Sequence, residues 1–196
     1  MRLLGSRIFE ANTYQVTTMH VNSSVVAVAI PNESRVRQAY ANTNLADAYE
    51  LRLPEGAIHD PEALARFIFS TQPLWVSRLM WLRDLIVGRF GLKTAHGLRR
   101  SADKRIGLFR IYETHQTEVI LGEDDTHLDF RVSVLFRSKP RAEDGASFVV
   151  VSTVVHCHNL IGRLYIFFIA PFHRMVVKAG LRRAAMLGWP TQASRL

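Results

Sequence analysis

NLIGRLYIFFIAPFHRMVVKAGLRRAA, from Asn159 to Ala185, is the stretch on which the reading of this chain turns. Asn159 is a favourable N-cap, because its side-chain oxygen accepts from the free N–H groups of a first helical turn. Leu160, Leu164, Phe167, Phe168, Met175 and Leu181 recur close to the helical repeat, so a long closing helix is predicted. Arg174, Lys178 and Arg182 follow one another at i, i+4 spacing and are expected to form a basic stripe on the opposite side. Pro171 removes one backbone donor and is expected to kink the helix or divide it in two. The uncharged run from Leu164 to Phe172 is bracketed by Arg163 and His173, far short of the roughly 20 apolar residues a membrane span needs. A buried core helix is the expectation, and a helix lying on a membrane surface is its competitor.

Upstream of Asn159 the period changes from helical to alternating. Ile106–Tyr112, Glu118–Gly122, Leu128–Arg137 and Phe148–His158 read as four strands. The links between the first three are hairpin-sized, so the strands should pair antiparallel and in sequence order. Before them, Val25–Ile30 reads as an edge strand or an extended packing segment stopped by Pro31, Ser34–Ala41 as a short helix, and Ala46–Leu53 as a strand. Asp60-Pro61-Glu62 is a compact helix start, with an N-cap, a proline at the first position and an acid in the first turn. That helix should run to about Ser70. A second is expected from Gln72-Pro73 to about Phe90, with Trp75, Leu79, Leu82, Ile86 and Phe90 on one face. Lys93 to Arg105 reads as a basic, mobile lid.

A sheet that is apolar on one face must cover it, and the terminal helix is the element long enough to do so. The order predicts an α+β helix-grip fold of the START/Bet v 1 kind. An antiparallel sheet would wrap around a long C-terminal helix, with two helices between the first strand and the rest. Residues 21–188 are expected to form one domain, preceded by a flexible extension (1–20) and followed by a tail (189–196). Met19 would serve equally as a start.

The chain has 196 residues, 48% of them hydrophobic, and a mean hydropathy of +0.03, enough to build a real core. Its net charge of +8 would favour anionic partners. Glu113 to Asp129, however, holds six acids and no Lys or Arg, whereas Arg78 to Arg110 is mostly basic. No Lys/Arg run is interleaved with aromatics, which argues against nucleic acid. The single cysteine, Cys157, excludes an internal disulfide and a cysteine-based zinc cage. The first twenty residues contain no apolar signal core, so a cytoplasmic protein is expected.

Gly107 to Phe136 (GLFRIYETHQTEVILGEDDTHLDFRVSVLF) and Val149 to Val177 (VVVSTVVHCHNLIGRLYIFFIAPFHRMVV) resemble a bacterial family known as domain of unknown function 2867. DAYELRLPEG, DPEALARFIF and QPLWVSRLMWLRD resemble it too, so the likeness covers about residues 25 to 185. That family is grouped with the START-like domains, Bet v 1-type proteins and polyketide cyclases. The resemblance implies a fold and a cavity and carries no activity, so no catalytic residues transfer with it.

Alternation separates Leu128, Phe130, Val132, Val134 and Phe136 from Asp129, Arg131, Ser133 and Leu135, and puts Ser152, Val154, His156 and His158 on one face. Asp129 and Arg131 at i, i+2 suit an ion pair or a shared hold on a polar ligand group. His156 and His158 have a spacing found in β-protein metal sites. They would need a third ligand from Glu123, Asp125 or His127, and the expectation is no metal and no cofactor. The leading reading is non-catalytic binding of a hydrophobic or amphipathic small molecule between sheet and C-terminal helix. Asp129, Arg131, Ser133, His156, His158, Phe130, Trp75 and Phe168 are its candidate residues. A cyclase- or hydrolase-type enzyme using His156 or His158 with Asp129 is the alternative. A third reading is a protein- or membrane-surface module that meets anionic lipid through the basic stripe. Oligomeric state is not legible.

Overall fold

The computed structural model describes residues 24–70, 104–138 and 146–191. The chain opens with β1 (Val26–Val28), a single 3-10 turn (Arg35–Gln38), β2 (Leu45–Arg52) and α1 (Pro61–Ser70). The second half contains β3 (Arg105–Ile106), β4 (Phe109–Thr114), β5 (Glu118–Asp124), β6 (Leu128–Ser138), β7 (Ser147–Cys157) and α2 (Leu160–Leu187). The seven strands form one sheet in the order β1-β2-β7-β6-β5-β4-β3. Every neighbouring pair is antiparallel.

β3 to β7 pair with their chain neighbours, as hairpin-sized links require. The stretch expected as one strand from Ile106 is two, because Gly107 turns the chain at φ 61° and folds β3 back on β4. β2 closes the other side by pairing with β7 from Leu45↔Val155 to Arg52↔Phe148. The expected second helix (72–90) and most of the expected lid (93–105) lie outside the described residues.

Alternation sends the two sides of the sheet to different fates. The inner face, carrying Tyr49, Leu51, Val119, Leu121, Val132, Val134, Val149 and Val151, packs with Leu64 and Ile68 of α1 and with Leu181 and Ala184 of α2. α1 starts as its sequence dictates: Asp60 Oδ1 accepts from the N–H groups of Glu62 and Ala63. Past α2, Trp189 is buried against Phe67, and the Ile58 N–H donates to the Pro190 carbonyl, so the chain re-enters the core after the helix. The outer face is covered by the segment before β2, where Val28 and Ile30 pack on Ala48, Leu135 and Val150.

The closing helix differs from expectation in three ways. It is capped by Asn159 as read, with Gly162 N donating to Asn159 Oδ1 at 3.1 Å, but Pro171 does not divide it in two. It is not a buried core helix: Gly162, Ile166, Gly180, Leu181 and Ala184 are its buried residues, while Phe167 is 73% and Phe168 66% exposed. The basic stripe is not opposite the apolar one. Leu160 and Lys178, and likewise Leu164 and Arg182, stand about five turns apart and so share a line along the helix. Arg182 thus continues the outward apolar face, on which Met175 and Met186 are still exposed, while Lys178 Nζ turns back over the Tyr49 ring.

Candidate functional site

The sequence-derived candidates fall into two groups that the sheet keeps apart. Asp129, Arg131 and Ser133 on β6 and His156 on β7 lie on the outer face, with His158 just beyond the end of β7. Phe130 lies on the inner face, where it packs on the cluster of Leu45, Leu128, Val155, Cys157 and Ile166. Phe168 points to solvent instead of lining a pocket. Trp75 lies outside the described residues. A cavity between sheet and α2 lined by all eight is thus excluded, because strand alternation puts the polar candidates on the side facing away from α2.

On the outer face each polar candidate has found a partner, though not always the expected one. Arg131 passes over Asp129 and donates to Asp124 Oδ1 at 2.7 Å and to the Phe130 carbonyl at 2.9 Å. Asp129 Oδ2 instead meets His158 Nε2 at 3.1 Å. His158 itself is exposed at the rim of the sheet. His156 Nδ1 lies 2.8 Å from the Asn42 carbonyl, and its ring stacks on Tyr40. Ser133 donates to Glu118, a fully buried acid that also accepts from Ser34 Oγ (2.6 Å) and the Arg35 N–H (3.0 Å). Among the described residues no three His, Cys, Asp or Glu side chains converge as metal ligands do.

Arg131 is the centre of this face. Its guanidinium lies 3.6 Å from the centroid of the Tyr112 ring and 5.7 Å from that of Tyr40. Burial works against its charge, yet the Asp124 bond and the two phenols hold it above the ordinary guanidinium value. Burial, and then the bond to Asp124, push the Tyr112 phenol up to about 12. Burial pushes Tyr40 further still, against the pull of Arg131. A groove of about 390 Å³ runs between the 3-10 turn and β4–β6, lined by Arg35, Gln38, Tyr112, Glu113, Ile120 and Arg131. Arg131 and Tyr112 are bonded there through Asp124, as members of a structural network are, while the buried Tyr40 hydroxyl has no hydrogen-bond partner among the described residues.

The inner face holds a different cluster, which sequence reasoning did not select. Asp47 on β2 sits in the row of Leu45, Tyr49 and Leu51, opposite Thr153 of β7, so a carboxylate projects into an apolar layer. His173 of α2 reaches it, with Nε2 3.3 Å from Asp47 Oδ1. Arg174 Nε stands 3.7 Å from Oδ2. Oδ2 is itself buried and, among the described residues, accepts no hydrogen bond. Lys178 Nζ lies over the Tyr49 ring at 5.2 Å. Burial, and then the neighbouring Asp47, raise the Tyr49 phenol, with Arg174 opposing. The signal was present in LADAYELR as a single acid on the apolar face of an alternating strand.

No curated protein matches the chain. No solved structure matches it either. Residues 39–180 match the family model described as a protein of unknown function, DUF2867, and over that span, from the turn before β2 to the last third of α2, the chain belongs to this family.

Proposed function

We propose that this domain binds, without chemical change, a small amphipathic molecule whose apolar body carries a hydrogen-bond donor such as a hydroxyl or amino group. The place is the seam between the inner face of β2–β7 and the first half of α2. One observation carries the reading: among the described residues a buried carboxylate oxygen of Asp47, 3.7 Å from Arg174 Nε, accepts no hydrogen bond beside the apolar cluster of Leu45, Val155 and Ile166. Burying such a group without a donor is costly, and an acceptor of this kind is what a ligand's polar head would answer. His173 and Arg174 hold the carboxylate in place, while Leu45, Val155 and Ile166 offer the apolar wall. The first half of α2 is buried only at Gly162 and Ile166, so little packing has to be released for entry along this seam. The pairing of the pre-helical β2 with the last strand, and the return of the chain in a terminal helix, support a helix-grip architecture. Kinship with START-like and Bet v 1-type proteins is inferred from that same order.

Native mass spectrometry of protein purified without refolding, followed by organic extraction, tests the reading. A stoichiometric apolar compound is expected on the wild type and absent from Asp47→Ala. If both proteins give one clean mass, and medium-chain alcohols displace no anilinonaphthalene sulfonate from the wild type, the reading is lost.

A further inference from the structure

We infer that the outward face of α2 docks on an anionic lipid surface. This face is distinct from the Asp47 seam, which lies on the opposite side of the same helix, and the inference does not depend on ligand binding there. Leu160, Ile161, Leu164, Phe167, Phe168 and Phe172 are all exposed, and Met175 continues the row. At 1.5 Å per residue the row from Leu160 to Met175 runs for about 24 Å. A contiguous apolar strip of this length on a soluble surface marks a contact site.

Charge decides what covers it. α2 carries Arg163, Arg174, Lys178, Arg182 and Arg183 and no acid. The arginines are exposed, and because Arg182 shares a line with Leu164 it extends the face that the apolar residues begin, with Arg163 and Arg183 flanking it, whereas Arg174 and Lys178 reach back to Asp47 and the Tyr49 ring. Acyl chains take the first part and lipid phosphates the second, the two-part match of a helix lying in the interface plane. Acids near the first turn are engaged elsewhere: Asp124 with Arg131 and Asp129 with His158.

The helix is long and apolar enough to cross a bilayer by length and composition alone. Its inward face is nevertheless committed to protein. Gly162 lies against the His127 carbonyl, Ile166 sits in the β2–β6–β7 cluster, His173 meets Asp47, and Leu181 is in the main core. Spanning would tear all four contacts from the sheet, whereas lying flat keeps them.

Co-flotation of the full chain with vesicles tests this directly. Vesicles of phosphatidylcholine with about 30 mol% phosphatidylserine should carry the wild type, and phosphatidylcholine alone should not. Phe167→Ser/Phe168→Ser and Arg163→Gln/Arg182→Gln should each lower partitioning by about tenfold or more, with unchanged thermal midpoints because all four residues are exposed. Asp47→Ala should float as the wild type does, which separates this inference from the ligand reading. Three results overturn it: no flotation of the wild type, flotation indifferent to both double variants, or retention through a high-salt alkaline wash, which would mean a spanning helix. A wild-type dimer that Phe167→Ser/Phe168→Ser dissociates, without any flotation, would assign the strip to a second copy of the chain.

Discussion

Tyr112 shows how far a single side chain can be read from its neighbours. Its hydroxyl donates to Asp124 Oδ2 at 2.9 Å, while Asp124 Oδ1 accepts from Arg131. Burial and that bond both favour the neutral phenol, and its value rises from 10.0 to about 12. Below pH 10 the phenol is neutral in both folded and unfolded chains, so its contribution to stability is fully present. Between 10 and about 12 the unfolded chain ionises first, and stability falls as pH rises through that interval. Tyr112→Phe should remove one late phenolate step, leaving those of Tyr40 and Tyr49, and flatten this part of the alkaline stability curve. Phenolate absorbance and denaturant unfolding at stepped pH measure both effects, and superimposable curves would refute the assignment. The i, i+2 spacing of Asp129 and Arg131 was readable as one face of a strand. Their partners were not, because Arg131 reaches Asp124 only once β5 and β6 are in register with Gly122 opposite Arg131.

Within α2, Gly162 joins element to sheet. A Cβ there would meet the His127 carbonyl and come within 3.3 Å of the Cys157 Cβ. Alanine would gain about 1 kcal/mol of helix propensity, but the clash falls on backbone and cannot be relieved by a rotamer change. A net loss of about 1–3 kcal/mol in denaturant unfolding is expected for Gly162→Ala. A variant more stable than wild type would mean that the helix start is free to move off the β5–β6 turn. The cap at Asn159 and the length of α2 were legible from local chemistry. Which of its sides faces the sheet was not, because apolar residues occur almost all round its first half and a repeat without a polar face names no buried side.

At the scale of the molecule, among the described residues one core joins α1 and α2 to the inner face of the sheet, and Leu181 is its anchor from α2. Leu181→Ala should cost about 3 kcal/mol, because the cavity is lined by α1 and sheet residues that cannot both collapse into it. Leu187→Ala, at an exposed position of the same helix, should stay within about 0.5 kcal/mol. Equal losses in denaturant unfolding would show that the two ends of α2 are not anchored as the packing implies. Hairpin-length links and apolar alternation made the β4–β7 order readable from the sequence, whereas β3 was not separated from β4. The pairing of β2 with β7 closes a loop of about a hundred residues and has no local signature.

Local physical chemistry determined the elements of this protein: the caps at Asp60 and Asn159, the alternation of β6 and β7, the antiparallel run of β4–β7 and the long terminal helix. Each is set within a few residues of chain, where spacing and side-chain type suffice. Tertiary structure alone decided which groups meet. It gave the polar candidates on the outer face their partners, brought His173 to Asp47 across the inner face, and left the aromatic half of α2 exposed among the described residues. Those outcomes depend on strand register and on the rotation of one helix against the sheet. Both are fixed by packing between residues more than a hundred positions apart, as in the 126-residue separation of Asp47 and His173.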